Sequence, residues 1–198
     1  MQTITDIASL EAGFDAAVPS AIEKVATQMT PMYKAWIEAS RFTVLSTVGP
    51  EGTDGTPRGD DGPVVRIVDD TTLLLPDWRG NNRLDALRNI VRDGRVSLMF
   101  MVPGCNNVVR VNAVLTADAE ITGSCTQSCK HPKTAIVVTL EEMYFQCAKA
   151  LMRSKLWATG DESAAVPTAG QFIKEFKDGF DAIDYDTSYP AGAVERMW

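Results

Sequence analysis

Residues 56 to 83, TPRGDDGPVVRIVDDTTLLLPDWRGNNR, constrain what this chain can fold into more than any other stretch. Two runs rich in valine, isoleucine and leucine, residues 63–68 and 71–76, flank Asp69 and Asp70. That pattern reads as a hairpin, because aspartate tolerates turn backbone and the apolar runs suit paired strands. Alternation along the first run sets Arg66 on the face opposite Val65 and Ile67. Gly80, Asn81 and Asn82 then lead into Leu84, Leu87 and Val91 at helical spacing. A helix is expected over residues 81–93, capped by Asn81 or Asn82 and stopped by Gly94. Ahead of the hairpin, Gly52, Asp54 and Gly55 read as a prolonged turn and residues 56–62 as a basic loop. Arg58, Arg66 and Arg83 thus fall beside turns and a helix start. These are the ingredients of a phosphate cradle, since guanidinium forks and helix-terminal amides both donate to anionic oxygens.

The flanking sequence frames that centre. Ser20 and Glu23 have capping-box spacing, and Thr30 before Pro31 marks a second helix start whose apolar stripe is Met32, Tyr33, Trp36 and Ile37. Residues 41–48 form a β-branched run that ends at Gly49 and Pro50. Val96, Leu98, Phe100 and Val102 alternate with Ser97, Met99 and Met101, so both faces are largely apolar and the strand should be central. Residues 107–121 read as a long strand with Val109, Val111, Ala113 and Leu115 on one side and Arg110 and Asn112 on the other. A strand over residues 133–139 should give way to a helix capped by Thr139 with Glu142. On that helix Lys149, Arg153 and Trp157 recur every four residues as a cationic stripe ending in an indole. Residues 168–183 read as a last amphipathic helix, and the acidic tail after Asp184 as loose. Strands in the middle and helices at the ends make the chain mainly β, an antiparallel sheet or barrel with helical covers.

At 198 residues one domain is expected. It divides into N-terminal helices (1–40), a barrel core (41–140) carrying the inserted helix 81–93, C-terminal helices (140–183) and a tail (184–198). Apolar runs such as residues 98–102 are too short to span a membrane. The N-terminus lacks a basic region followed by an apolar core, so a cytoplasmic protein with reduced cysteines is expected. A net charge of −7 argues against nucleic acid as a partner. A basic pocket inside an acidic exterior suits a small anionic ligand instead. Cys125, Cys129 and His131 are the metal candidates, but the spacing departs from C-x2-C and no fourth ligand is evident, so no metal is expected. No catalytic residue is assigned: His131 is the sole histidine, Asp60, Asp61 and Asp77 are the carboxylates that could act instead, and paired aspartates in turns read as turn formers.

An ordered set of short motifs links these pieces: SRFTVLSTVG from Ser40, PRGD from Pro57, VRIVDD from Val65, LLPD from Leu74, GNNRLD from Gly80, NIV from Asn89, VPG from Val102, RVN from Arg110 and CAKALMRSKLW ending at Trp157. Over residues 24–157 the chain resembles the pyridoxamine-phosphate-oxidase-like FMN-binding proteins, and more narrowly their bacterial flavin-nucleotide-binding branch. The resemblance implies an FMN-binding split β-barrel of about six antiparallel strands, and a homodimer with FMN at the subunit interface. It implies an FMN-dependent oxidoreductase acting on a small-molecule redox substrate. The cofactor-binding residues it implies are Arg58, Arg66, Pro76, Asn82, Arg83 and Arg110, with Lys149, Arg153, Ser154 and Trp157 closing the site. Alternatives are a non-catalytic flavin store, carrier or sensor, and a barrel that takes deazaflavin or haem, with His131 as the axial candidate. The chain departs from the branch at Trp78, where an arginine is usual, and at Ala113, where a glycine is usual. It also lacks the C-terminal arginine-histidine motif of pyridoxine-phosphate oxidases, so flavin binding is expected rather than vitamin B6 oxidation.

Overall fold

Seven strands build one antiparallel sheet in the computed structural model of the chain, which describes residues 3–117 and 131–197. They are β1 (Phe42–Gly49), β2 (Gly52–Gly59), β3 (Arg66–Asp69), β4 (Thr72–Asp77), β5 (Arg95–Met101), β6 (Val108–Ala117) and β7 (Thr134–Gln146). Their spatial order is β2-β1-β5-β6-β7-β4-β3, and the sheet curls into a half-barrel. The fold is mainly β with helical covers, as expected, with one strand more than six. The helices among the described residues are α1 (Ile7–Glu11), α2 (Pro19–Glu23), α3 (Pro31–Ala39), α4 (Asp85–Arg92), α5 (Lys149–Ser154), α6 (Ala169–Phe176) and α7 (Ala182–Val194).

The core lies on the inner face. Leu45, Leu98, Val111 and Met143 stand in one row across β1, β5, β6 and β7, all fully buried. Each aliphatic side chain of this kind contributes roughly 1.5–3 kcal/mol by leaving water. Ile37 of α3 packs onto the same cluster. A register shift between Asn112 and Ala113 pairs Asn112 with Glu142 but Ala113 with Leu140. Leu140 and Met143 are therefore both buried although three residues apart, which strict two-residue alternation forbids. Val108 and Val109 are likewise both buried at the opposite end of β6. β5 is central, as its two apolar faces predict.

Several local expectations are corrected. Gly52 to Gly59 form β2 rather than a turn and basic loop, because the edge position beside β1 tolerates glycine and Pro57. Thr139 caps no helix: β7 runs through to Gln146, and ladder bonds to β4 and β6 outweigh the capping-box spacing. α2 begins at Pro19 with no side-chain cap from Ser20. α3 starts where Thr30 accepts from the Tyr33 amide, as predicted. α4 begins at Asp85, three residues beyond Asn82, and Gly94 follows it with a left-handed φ of 78°. The last amphipathic segment splits in two. α6 opens with a Thr168–Gln171 capping box and ends at Phe176, and α7 occupies most of the expected loose tail. Asp186 of α7 holds this pair together by accepting from the Gly170 amide at 2.8 Å and from the Thr168 hydroxyl. Cys125, Cys129 and the expected continuation of β6 to residue 121 lie outside the described residues.

Candidate functional site

No backbone ladder joins β2 to β3 or β4 among the described residues, so the half-barrel is open along that side. Side chains bridge the gap. Arg58 sits opposite the buried Thr43 and therefore faces inward, as does Asp77, which shares its parity along β4 with Leu73 and Leu75. The two form an ion pair whose side chains are only 18% and 17% exposed. Just beyond the same strand ends, the Trp78 indole N–H donates to Asp60 at 2.8 Å. Asp60 is itself fixed: its amide donates to the Arg41 carbonyl at 3.0 Å, and its other carboxylate oxygen accepts from the Asp61 amide at 2.7 Å. The Thr134 hydroxyl approaches Asp77 at 3.5 Å from the start of β7.

A cleft of about 1400 Å³ opens at these bridges, between residues 54–59, Val64, residues 75–87, residues 131–134 and Met197. Val64, Leu75, Pro76 and Trp78 give it an apolar side. The approach to α4 gives it a polar one. Asn82 and Leu84 both adopt left-handed backbone, with φ of 59° and 62°, on either side of Arg83. For leucine this conformation costs about 1 kcal/mol, and it turns the chain sharply into the helix. No side chain caps α4, contrary to the expectation for Asn81 and Asn82; the Asn81 side chain accepts from the Arg83 amide instead, at 3.1 Å. The first-turn residues Asp85, Ala86 and Leu87 line the cleft, and no side chain caps the amides of that turn. Arg83 pairs with Asp85 at 2.8 Å and remains largely exposed. Within the cleft wall, Arg58 keeps a buried Nε that has no hydrogen-bond partner.

Four of the predicted residues, Arg58, Pro76, Asn82 and Arg83, therefore meet in one cleft. The others lie elsewhere on this chain. Arg66 is exposed on edge strand β3. Arg110 is on the outer face of the sheet, with Nη2 3.4 Å from the Ser97 hydroxyl, its guanidinium over the Tyr144 ring and its Nε buried without a partner. Lys149, Arg153 and Ser154 are exposed on α5, which ends at Lys155 in a left-handed conformation (φ 53°). Trp157 is thus off that helix, and the expected three-turn stripe is broken; its indole donates to the Cys105 carbonyl at 2.9 Å. Sequence reasoning missed the Arg58–Asp77 and Asp60–Trp78 bridges and the wall at residues 131–134. The only signal for the bridges was opposite charge and a tryptophan at the ends of two runs not recognisable as facing each other. Among the described residues no group of three or more His, Cys, Asp or Glu side chains could hold a metal ion, and no helix is long and apolar enough to cross a membrane.

The structure is an open antiparallel half-barrel, mainly β, with a cleft of mixed apolar and charged lining at its split. The sequence signature of the pyridoxamine 5'-phosphate oxidase family matches residues 29–147, more than half of the chain, and the chain belongs to that family. Among solved structures it is similar to HupZ from Group A Streptococcus, at 15% identity and a TM-score of 0.48, over 59% of this chain and 93% of that one. It is similar to an FMN-binding protein from Syntrophomonas wolfei, at 17% identity and a TM-score of 0.43, over 59% and 89%. An F420 reductase matches at 15% identity and a TM-score of 0.42, over 60% and 98%. Comparison with curated proteins returns no match.

Proposed function

We propose that the chain is an FMN-binding flavoprotein that acts as an FMN-dependent oxidoreductase on a small-molecule redox substrate, as a cytoplasmic homodimer. The observation that carries this reading is the uncapped start of α4 opening, beside Arg83, into a cleft whose other side is apolar. Helix-terminal amides and a guanidinium suit a phosphate dianion, and Val64, Leu75, Pro76 and Trp78 suit a flat apolar ring. The unpartnered Nε of Arg58 supports the fit, since a buried donor without an acceptor is satisfied by a carbonyl or anionic oxygen of a ligand. Arg83, Asn82 and the first amides of α4 would hold the phosphate. Arg58 and Pro76 would face the ring, with Asp77 setting the orientation of Arg58. When bound, FMN supplies the capacity to accept and return a hydride or single electrons, and the protein supplies binding, orientation and electrostatics.

The test begins with the visible spectrum of the purified protein, before and after adding FMN, with the released cofactor identified by mass. A bound flavin spectrum is expected. Reduction by a nicotinamide donor and reoxidation by an added acceptor should then run far faster than for free FMN. Equal rates would reduce the reading to a flavin store or carrier, and a colourless protein that ignores FMN would overturn it.

A further inference from the structure

We propose that the homodimer proposed above, on which this inference rests, is made through the outer face of β5, β6 and β7, with Arg110 of each copy paired to the partner's Glu142. A sheet face that looks at water is normally polar. Here Val44 of β1, Met99 and Met101 of β5 and Tyr144 of β7 lie on the face opposite Leu45, Leu98 and Met143, and all four are only half-buried. The helices that pack on the sheet core leave them uncovered, because Ile37 of α3 and Ala86 and Ile90 of α4 join the inner cluster. Methionine, tyrosine and arginine are residues that protein interfaces concentrate. Within this face the charges are unfinished. Arg110 pairs with Tyr144 and Asn112 with Glu142 across β6 and β7, so the cation and the anion are diagonal neighbours on one face. Arg110 lies over the Tyr144 ring, 3.4 Å from the Ser97 hydroxyl, with an Nε that has no partner. Glu142 accepts from the Asn112 side-chain amide. Among the described residues neither charge has an ion-pair partner. Both residues are half-buried, where an uncompensated charge is unfavourable. In a two-fold contact residue i meets j while j meets i. A face that carries one unpaired cation beside one unpaired anion is therefore its own complement, whereas a partner of one charge would satisfy only half of it.

Charge reversal tests the pairing, with the oligomeric state of the full chain read by sedimentation equilibrium and its folding by circular dichroism. Wild type should be a dimer. Arg110→Glu and Glu142→Arg should each raise the dimer's dissociation constant by about 100-fold or more, because each sets like charges together at both symmetric contacts. Mixed in equal amounts, the two variants should dimerise again, since every contact between unlike chains is then a cation with an anion. The double variant Arg110→Glu, Glu142→Arg should pair with itself for the same reason. The neutral variants Arg110→Gln and Glu142→Gln disturb the fold least and should each weaken the dimer by about ten-fold. A reversed or neutral variant that dimerises as tightly as wild type, or folded reversals that recover nothing on mixing, would show that the face is wrongly assigned while the homodimer stands. A monomeric wild type would remove the homodimer and this face together, and would leave the flavin reading to its own spectrum.

Discussion

Asp77 sets the charge balance at Arg58, which it pairs with across the open side of the sheet. Neither partner is well solvated, so removing one leaves the other charge poorly compensated. Asp77→Asn is expected to destabilise the fold by about 1–3 kcal/mol, between the values for exposed and fully buried pairs. The same change subtracts a negative charge from the ring-facing wall of a cleft proposed to take a dianionic ligand, while asparagine keeps an oxygen to accept from Arg58, so FMN binding should tighten several-fold even as the fold weakens. Arg83→Ala should do the reverse. Stability should hardly move, since Arg83 is largely exposed, while FMN binding falls by the roughly 1.5–3 kcal/mol of a charge-assisted contact. Urea titrations and equilibrium dialysis on the two variants check both signs. If both lose FMN alike, the cleft is not organised by charge and the phosphate lies elsewhere.

At the level of elements, the α6–α7 pair depends on a glycine. A methyl group at Gly170 would come within 2.5 Å of the Ala182 carbonyl and 2.7 Å of the Asp186 carboxylate. The carbonyl belongs to the backbone at the start of α7 and cannot swing aside. Gly170→Ala should therefore cost about 1–3 kcal/mol of docking between the helices, as overpacking does. The seven-stranded sheet should be untouched. Hydrogen exchange is expected to lose protection in α6 and α7 while the amides of β5 and β6 keep theirs, and uniform loss throughout would show that the hairpin is integral to the barrel. This arrangement was half legible in the sequence. The Thr168 cap could be read from local chemistry, but the docking of α6 on α7 rests on Thr168 and Gly170 meeting Asp186, sixteen and more residues further on. β2 and β7 show the same limit. The composition of Gly52 to Gly59 is that of a turn, and only pairing with β1 makes it a strand. Thr139 and Glu142 have cap spacing, yet a bulge carries β7 past them. The apolar strands β1, β4, β5 and β6 were legible because alternation is a local property. The site was legible as a set of arginines near α4, whereas the inward pairing of Arg58 with Asp77 depends on the curl of the sheet.

The whole molecule leaves apolar side chains in the open at both ends of the chain. Ile7, Leu10 and Phe14 are exposed near the start, and Phe172, Phe176 and Ile183 near the finish, with Phe176 87% exposed. A chain of net charge −7 is well suited to stay soluble as separate copies, so such surfaces point to a specific cover rather than to general stickiness. A two-fold pair is the commonest arrangement that buries the same patch twice. Sedimentation is accordingly expected to give twice the 21.5 kDa chain mass. The cleft adds a second requirement. Lys149 and Arg153 of α5 belong to the motif that the family resemblance ties to the flavin, yet they stand outside the cleft of their own chain. If α5 of one protomer serves the cleft of its partner, holding FMN is linked to assembly by mass action. Dilution through the dimer's dissociation range should then release FMN even when free FMN is held constant, and saturating FMN should shift that range to lower protein concentration. A monomer that retains FMN equally at every dilution would place the whole site within one chain and leave the cations of α5 to another task.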